Sequence, residues 1–103
     1  MKWYEKIIEA LTTITDKVGH GEHLKGSRYF VWQEDGTNDL YGGNRHAEKA
    51  MTGTIDLYSK TEFDPWVETL GDVLEEAGIP YYLNSIQFEP ETKYWHWEWV
   101  WTV

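Results

Sequence analysis

In Lys93-Tyr94-Trp95-His96-Trp97-Glu98-Trp99-Val100-Trp101-Thr102-Val103, tryptophan falls at every second position and Val103 completes the same set. Period two is the mark of a strand, whose successive side chains point to opposite faces. The intervening residues, Tyr94, His96, Glu98, Val100 and Thr102, form a second and more polar face. Upstream, Tyr81 to Phe88 predicts the partner strand, and Glu89-Pro90-Glu91-Thr92 predicts the turn, with Pro90 suited to its second position. That turn sets Ile86 opposite Trp95, Asn84 opposite Trp97 and Tyr82 opposite Trp99.

A tryptophan-lined face needs a cover, and the sequence offers two helices. Asp64 is a good N-cap, and Pro65 sits where a missing N–H costs nothing. Trp66, Val67, Leu70, Val73, Leu74 and Ala77 then form a helical stripe that Gly78 and Pro80 terminate. At the other end, Trp3, Ile7, Leu11, Ile14 and Val18 repeat at helical spacing and predict a helix over roughly residues 2–17, closed by Gly19-His20-Gly21. Between the helices, Arg28 to Gln33 and a segment from Arg45 to Tyr58 read as strands, with a bulge or bend around Ala50–Gly53. Gly53 leaves a gap on its face for a large neighbour or a bend. The polar excursion at 35–45 reads as loop.

The expected architecture is a single α+β domain over residues 1–103. Two helices pack on one face of a mostly antiparallel β-sheet, in the order α-β-β-α-β-β. A chain of 103 residues supports one core and not two. It has no cysteine, hence no disulfide framework and no thiolate zinc site. The amino terminus runs into an amphipathic pattern, not a signal-peptide core, and no long apolar run predicts a membrane span, so the expectation is a cytosolic product. Eighteen acids against nine bases give a formal charge of −9, which argues against a domain built to neutralise phosphates.

Chemistry is harder to find. His20 and His23 are three apart with Glu22 between them, but no third ligand stands at a recognisable spacing. His46 begins a strand, and His96 beside Glu98 reads as half of a cross-strand salt bridge before half of an acid–base pair. Asp35, Asp39, Asp56 and Asp64 permit a carboxylate pair of the glycosidic type, an assembly that any chain with eighteen acids permits. No nucleophile elbow, P-loop or dinucleotide fingerprint is present. The expectation is no enzyme, no cofactor and no metal. The tryptophan stripe reads as core, as a stacking platform, or as a core that continues into a neighbouring subunit.

The stretch Ala47 to Lys60 is similar to the central strand region of small head–tail joining or tail completion proteins of long-tailed phages. Phe63-Asp64-Pro65-Trp66 and the hairpin from Glu89 to Trp101 extend the likeness, and the order of elements resembles the tail-terminator fold. The resemblance implies a virion protein of the tail or neck that forms a hexameric ring. Such a ring caps the tail tube, meets a tube protein and a head-side connector protein, and lets DNA pass without specific binding. Under it, Tyr58, Trp99 and Trp101 are candidates for the subunit interface, and Asp35, Asp39 and Tyr41 for a docking loop. The alternatives from the residues alone are a monomeric acidic protein-binding or inhibitor module and a small hydrolase.

Overall fold

A computed structural model describes residues 2–38 and 50–103. Seven elements follow in chain order: α1 (Trp3–Thr12), β1 (Val18–His20), β2 (Arg28–Asn38), β3 (Ala50–Ser59), α2 (Trp66–Glu76), β4 (Tyr81–Glu89) and β5 (Tyr94–Thr102). The strands form one sheet in the order β1-β2-β3-β5-β4, with β1 parallel to β2 and every other pairing antiparallel. This is a small α+β domain with two helices on a mixed, mostly antiparallel sheet that does not close into a barrel.

The strand that decides the fold lies inside the sheet. β5 is hydrogen-bonded to β3 on one side and β4 on the other, and its tryptophans face both helices. Phe30, Trp32, Ile55, Leu57, Trp97, Trp99 and Trp101 meet Ile7, Leu11, Leu70 and Leu74 in one buried cluster. Gly53 answers to its sequence reading. A Cβ there would lie 2.4 Å from Cζ2 of Trp101 and 2.1 Å from the Gln33 carbonyl oxygen, so its bare backbone is what the indole lies across. The Trp101 ring stacks on Trp3 at 6.1 Å. Its buried indole N–H finds no hydrogen-bond partner among the described residues.

Four local readings are corrected. The first helix stops at Thr12, not near residue 17. Thr12, Thr13, Ile14 and Thr15 are all β-branched, and the Thr12 and Thr13 hydroxyls donate back to the Ile8 and Ala10 carbonyls. The chain released there supplies an extra strand, β1, so the order is α-β-β-β-α-β-β. Next, Asp35-Gly36-Thr37 is not a turn. β2 runs on to Asn38 with Asp35 as the extra residue of a bulge, so the bulge sits in β2 opposite Gly53 and not in β3. Finally, the hairpin turns one residue later than expected. Glu89 pairs with Tyr94, the loop is 90–93, and Lys93 takes φ 66°.

That later turn and a second bulge decide which β4 side chains join the tryptophans. Phe88 lies opposite Trp95 and Ile86 opposite Trp97. The register then slips at Asn84, so Leu83 and Tyr81, not Tyr82, oppose Trp99 and Trp101. Asn84 is the inserted residue, and its side-chain amide donates to Glu98 at 2.8 Å.

The start of α2 is fixed by an ion pair between a buried carboxylate and a partly exposed guanidinium. Asp64 has a side chain closed to solvent and accepts from Arg28 Nε at 2.8 Å and from a second Arg28 nitrogen. Its Oδ1 also accepts from the Trp66 N–H at 2.9 Å, the capping role read from the sequence. Arg28 lies 3.6 Å over the Trp66 ring, and Trp66 stacks on Phe30. Burial alone would raise the Asp64 carboxyl, but the Arg28 fork, the Ser59 hydroxyl and the Trp66 N–H outweigh it and hold it below the usual carboxylate range.

Candidate functional site

Two regions remain once the core is accounted for: the face without helices and the two edges of the sheet. On the open face, Tyr29 and Tyr58 stack at 5.2 Å, and Tyr58 stacks on His96 at 4.2 Å. His23 closes over this layer from the β1–β2 connector, 4.7 Å from Tyr58 and hydrogen-bonded to the Tyr29 hydroxyl at 3.1 Å. His96 stands between two carboxylates, with Nε2 2.7 Å from Asp56 and Nδ1 3.5 Å from Glu89.

Burial by itself would lower the His96 value. The bond from Asp56 and the charges of Asp56, Glu89 and Glu98 exceed it, so the imidazole is held above its ordinary range. The Tyr58 hydroxyl is pushed well above the usual phenol by burial first and then by Asp56 and Glu89. These groups lock one another in place. The layer reads as structure: the cross-strand salt bridge expected for His96 is made with Asp56 of β3.

The other acids and histidines are placed apart from this layer. His20 stacks on Trp32 at 4.0 Å and bonds Glu34 at 2.7 Å, which lowers the Glu34 carboxyl. His20 and His23 thus have different partners, and no cluster of three or more metal-ligating side chains occurs among the described residues. Asp64 is engaged with Arg28, Asp56 with His96, and Asp35 is exposed on the β2 bulge. Asp39, Tyr41 and His46 lie outside the described residues.

The interface candidates Trp99 and Trp101 are 2% and 0% exposed within the chain's own core, and Tyr58 is buried in the open-face layer. In this fold all three are enclosed by the chain itself and offer a neighbour almost no surface.

The sheet edges are different. β4 is a nine-residue edge strand, and among the described residues no strand lies beside its outer N–H and C=O groups. Of its residues only Glu89 is charged, and no lysine or proline blunts it. The helices cover the tryptophan face but stop short of this edge. Leu83, Ile86 and Phe88 are left 40%, 54% and 43% exposed, with Phe63 nearby at 87%. Phe63, Val67 and Trp97 also line a recess of about 310 Å³, together with Glu62, Asp64 and Glu68.

At the opposite edge, Trp3, Tyr4 and Ile8 of α1 face His20, Trp32 and Glu34 across a cleft of about 460 Å³. Sequence reasoning placed Ile86 on the helix face but set Tyr82 and Asn84 beside it where the structure has Tyr81 and Leu83, and it missed that the helices stop short of this edge. The signal available was composition, a nine-residue strand with a single charge in a strongly charged chain.

No helix among the described residues is long and apolar enough to cross a membrane. A scan against protein-family models and a search of curated proteins both return no match.

Proposed function

We propose that this chain is a structural subunit of a long-tailed phage particle, a ring-forming protein that caps or completes the tail tube and joins it to the head connector. The observation that carries the assembly part is the unprotected β4 edge, with Leu83, Ile86 and Phe88 held in water in an otherwise acidic chain. An edge strand of this kind templates pairing unless something covers it. The phage context rests on the resemblance of Ala47 to Lys60, Phe63 to Trp66 and Glu89 to Trp101 to tail completion proteins. A charge of −9 fits a ring whose lumen passes DNA without holding it.

In this reading the subunit needs no cofactor and performs no reaction. Its contacts are with further copies, the tube protein and the head-side connector, within the virion. Asp35 stands exposed at the base of the segment proposed to dock to the next ring.

Light scattering coupled to gel filtration, with negative-stain images of any large peak, tests the proposal. A species near six times 12.2 kDa with a central hole is expected. A monomer at every concentration, which then binds a basic protein in a salt-sensitive manner, would replace it with the acidic binding module.

A further inference from the structure

We propose that copies of this chain join head to tail through the two edges of the sheet, the Leu83–Ile86–Phe88 row of one copy seating in the α1–β1 cleft of the next. The proposal rests on the ring reading above and names the joint that such a ring requires.

Four observations carry it. The first is distribution. The large apolar side chains left exposed among the described residues fall into two groups: Tyr4 and Ile8 at the α1–β1 edge, and Phe63 with the β4 residues at the other. β1 and β4 are the two ends of the strand order, separated by β2, β3 and β5. Two different patches on opposite edges are what a heterologous interface uses, whereas a two-fold dimer uses one patch twice.

The second is shape. β4 presents a row that neither α1 nor α2 closes from solvent, and the opposite edge presents a cleft of about 460 Å³ walled by Trp3 and Trp32. The third is charge. β4 carries Glu89 alone, and the cleft's carboxylate, Glu34, is already engaged by His20. Along β4 itself, away from Glu62 and Glu68 beside Phe63, a chain of charge −9 can touch itself with few acids set against one another.

The fourth is direction. β1, β2 and β5 run one way and β3 and β4 the other. Placed side by side in the same orientation, β4 of one copy and β1 of the next run antiparallel, the commoner sense of pairing.

The area is modest. With roughly 200 Å² for each side chain fully exposed, the open fractions of Leu83, Ile86, Phe88 and Phe63 come to about 450 Å². A standard interface buries roughly 800 Å² per partner, and the β4 and β1 backbone edges supply part of the difference. One joint is therefore weak, and closure, in which every copy uses both edges, is what makes the assembly stable.

The absence of cysteine makes the test direct. Ile8→Cys and Ile86→Cys are made singly, both at half-exposed positions, and mixed under mild oxidation alongside light scattering of the unmodified chain. Head-to-tail joining predicts a disulfide between the two variants in the mixture and little within either alone. A chain carrying both changes should give a ladder ending at one closed species. Ile86→Glu should lower the assembled fraction at least tenfold with the thermal midpoint of the monomer unchanged.

An assembled species that cross-links only Ile86→Cys to itself overturns the head-to-tail joint in favour of a two-fold β4 pair. An assembled species with neither cross-link overturns the joint while the ring reading stands. A monomer at the highest attainable concentration, with no cross-link, overturns both.

Discussion

Replacing Gly53 by alanine should be among the most damaging single changes in the molecule, although it adds one methyl group. The added Cβ would stand 2.1 Å from the Gln33 carbonyl oxygen, 2.9 Å from Glu34 Cα and 2.4 Å from Trp101 Cζ2. Two of these atoms are backbone of β2, which is held in register with β3 on both sides of the contact. The third belongs to an indole that is 0% exposed and stacked on Trp3. Neither can yield by rotating one side chain. Relief requires parting β2 from β3 or displacing Trp101.

Overpacking of this kind costs about 1–3 kcal/mol, and losing a buried aromatic's packing costs about 3–5 kcal/mol. A penalty of about 3 kcal/mol follows, or a fall in Tm of about 12–20 °C for a domain of this size. The assay is thermal and urea unfolding followed by far-ultraviolet circular dichroism. Gly78→Ala is the control. Gly78 sits at φ +71° with nothing within 4 Å, so only backbone strain of about 1–2 kcal/mol applies. A Gly53→Ala protein that melts within 3 °C of the parent, or above Gly78→Ala, would refute the reasoning.

Other outcomes follow from the same contacts. Asp64→Asn should cost about 1.5–3 kcal/mol, because it weakens the charged hydrogen bonds that a buried carboxylate makes to the partly exposed Arg28 guanidinium; urea unfolding at neutral pH measures it. Since the Asp64 carboxyl is held low in the folded state, its contribution is present above the ordinary carboxylate range and lost as pH falls through the folded value. Asp64→Asn should therefore flatten the acid limb of the stability curve.

His96 has the opposite sign. Its folded value is raised, so its contribution is complete below the unfolded value of about 6.5 and disappears as pH rises through the folded one. A ring-proton titration with a midpoint above that of a free histidine, and loss of that pH slope in His96→Gln, is the expected pair of results. Asp56→Asn should bring the His96 midpoint down, since Asp56 supplies the bond at 2.7 Å.

The legible parts of this fold were those in which one periodicity ran uninterrupted. Trp95 to Trp101 could only be a strand, and Asp64-Pro65 through Gly78 only a capped helix. Gly53 was legible as a gap because a bare position on a large-residue face has few other uses. The misread parts were those that a single inserted residue controls. Asp35 and Asn84 each shift a register by one, and a shift of one exchanges the two faces of a strand. Neither residue type announces a bulge.

β1 was missed for a related reason. Three residues, Val18-Gly19-His20, carry no periodicity, and their strand character comes from pairing with Phe30, Val31 and Trp32. On β4 the slip at Asn84 exchanges Leu83 for Tyr82 but leaves Ile86 and Phe88 on their expected face; how far the helices reach over that face, and how fully they enclose Trp99 and Trp101, is set by tertiary packing that no local pattern reveals.

The place of β5 in the sheet has a consequence for how the protein is made. It is the last strand in the sequence of elements, yet it lies between β3 and β4 and carries the side chains on which both helices rest. During synthesis every other element is complete before Tyr94 emerges, and none of them can settle. β3 waits with one edge unpaired and β4 has no neighbour at all. The nascent chain therefore holds Phe30, Ile55, Leu57, Leu70 and Leu74 in water until the final strand slides between its neighbours. The sheet and the packing of both helices on it are therefore completed only once β5 is available.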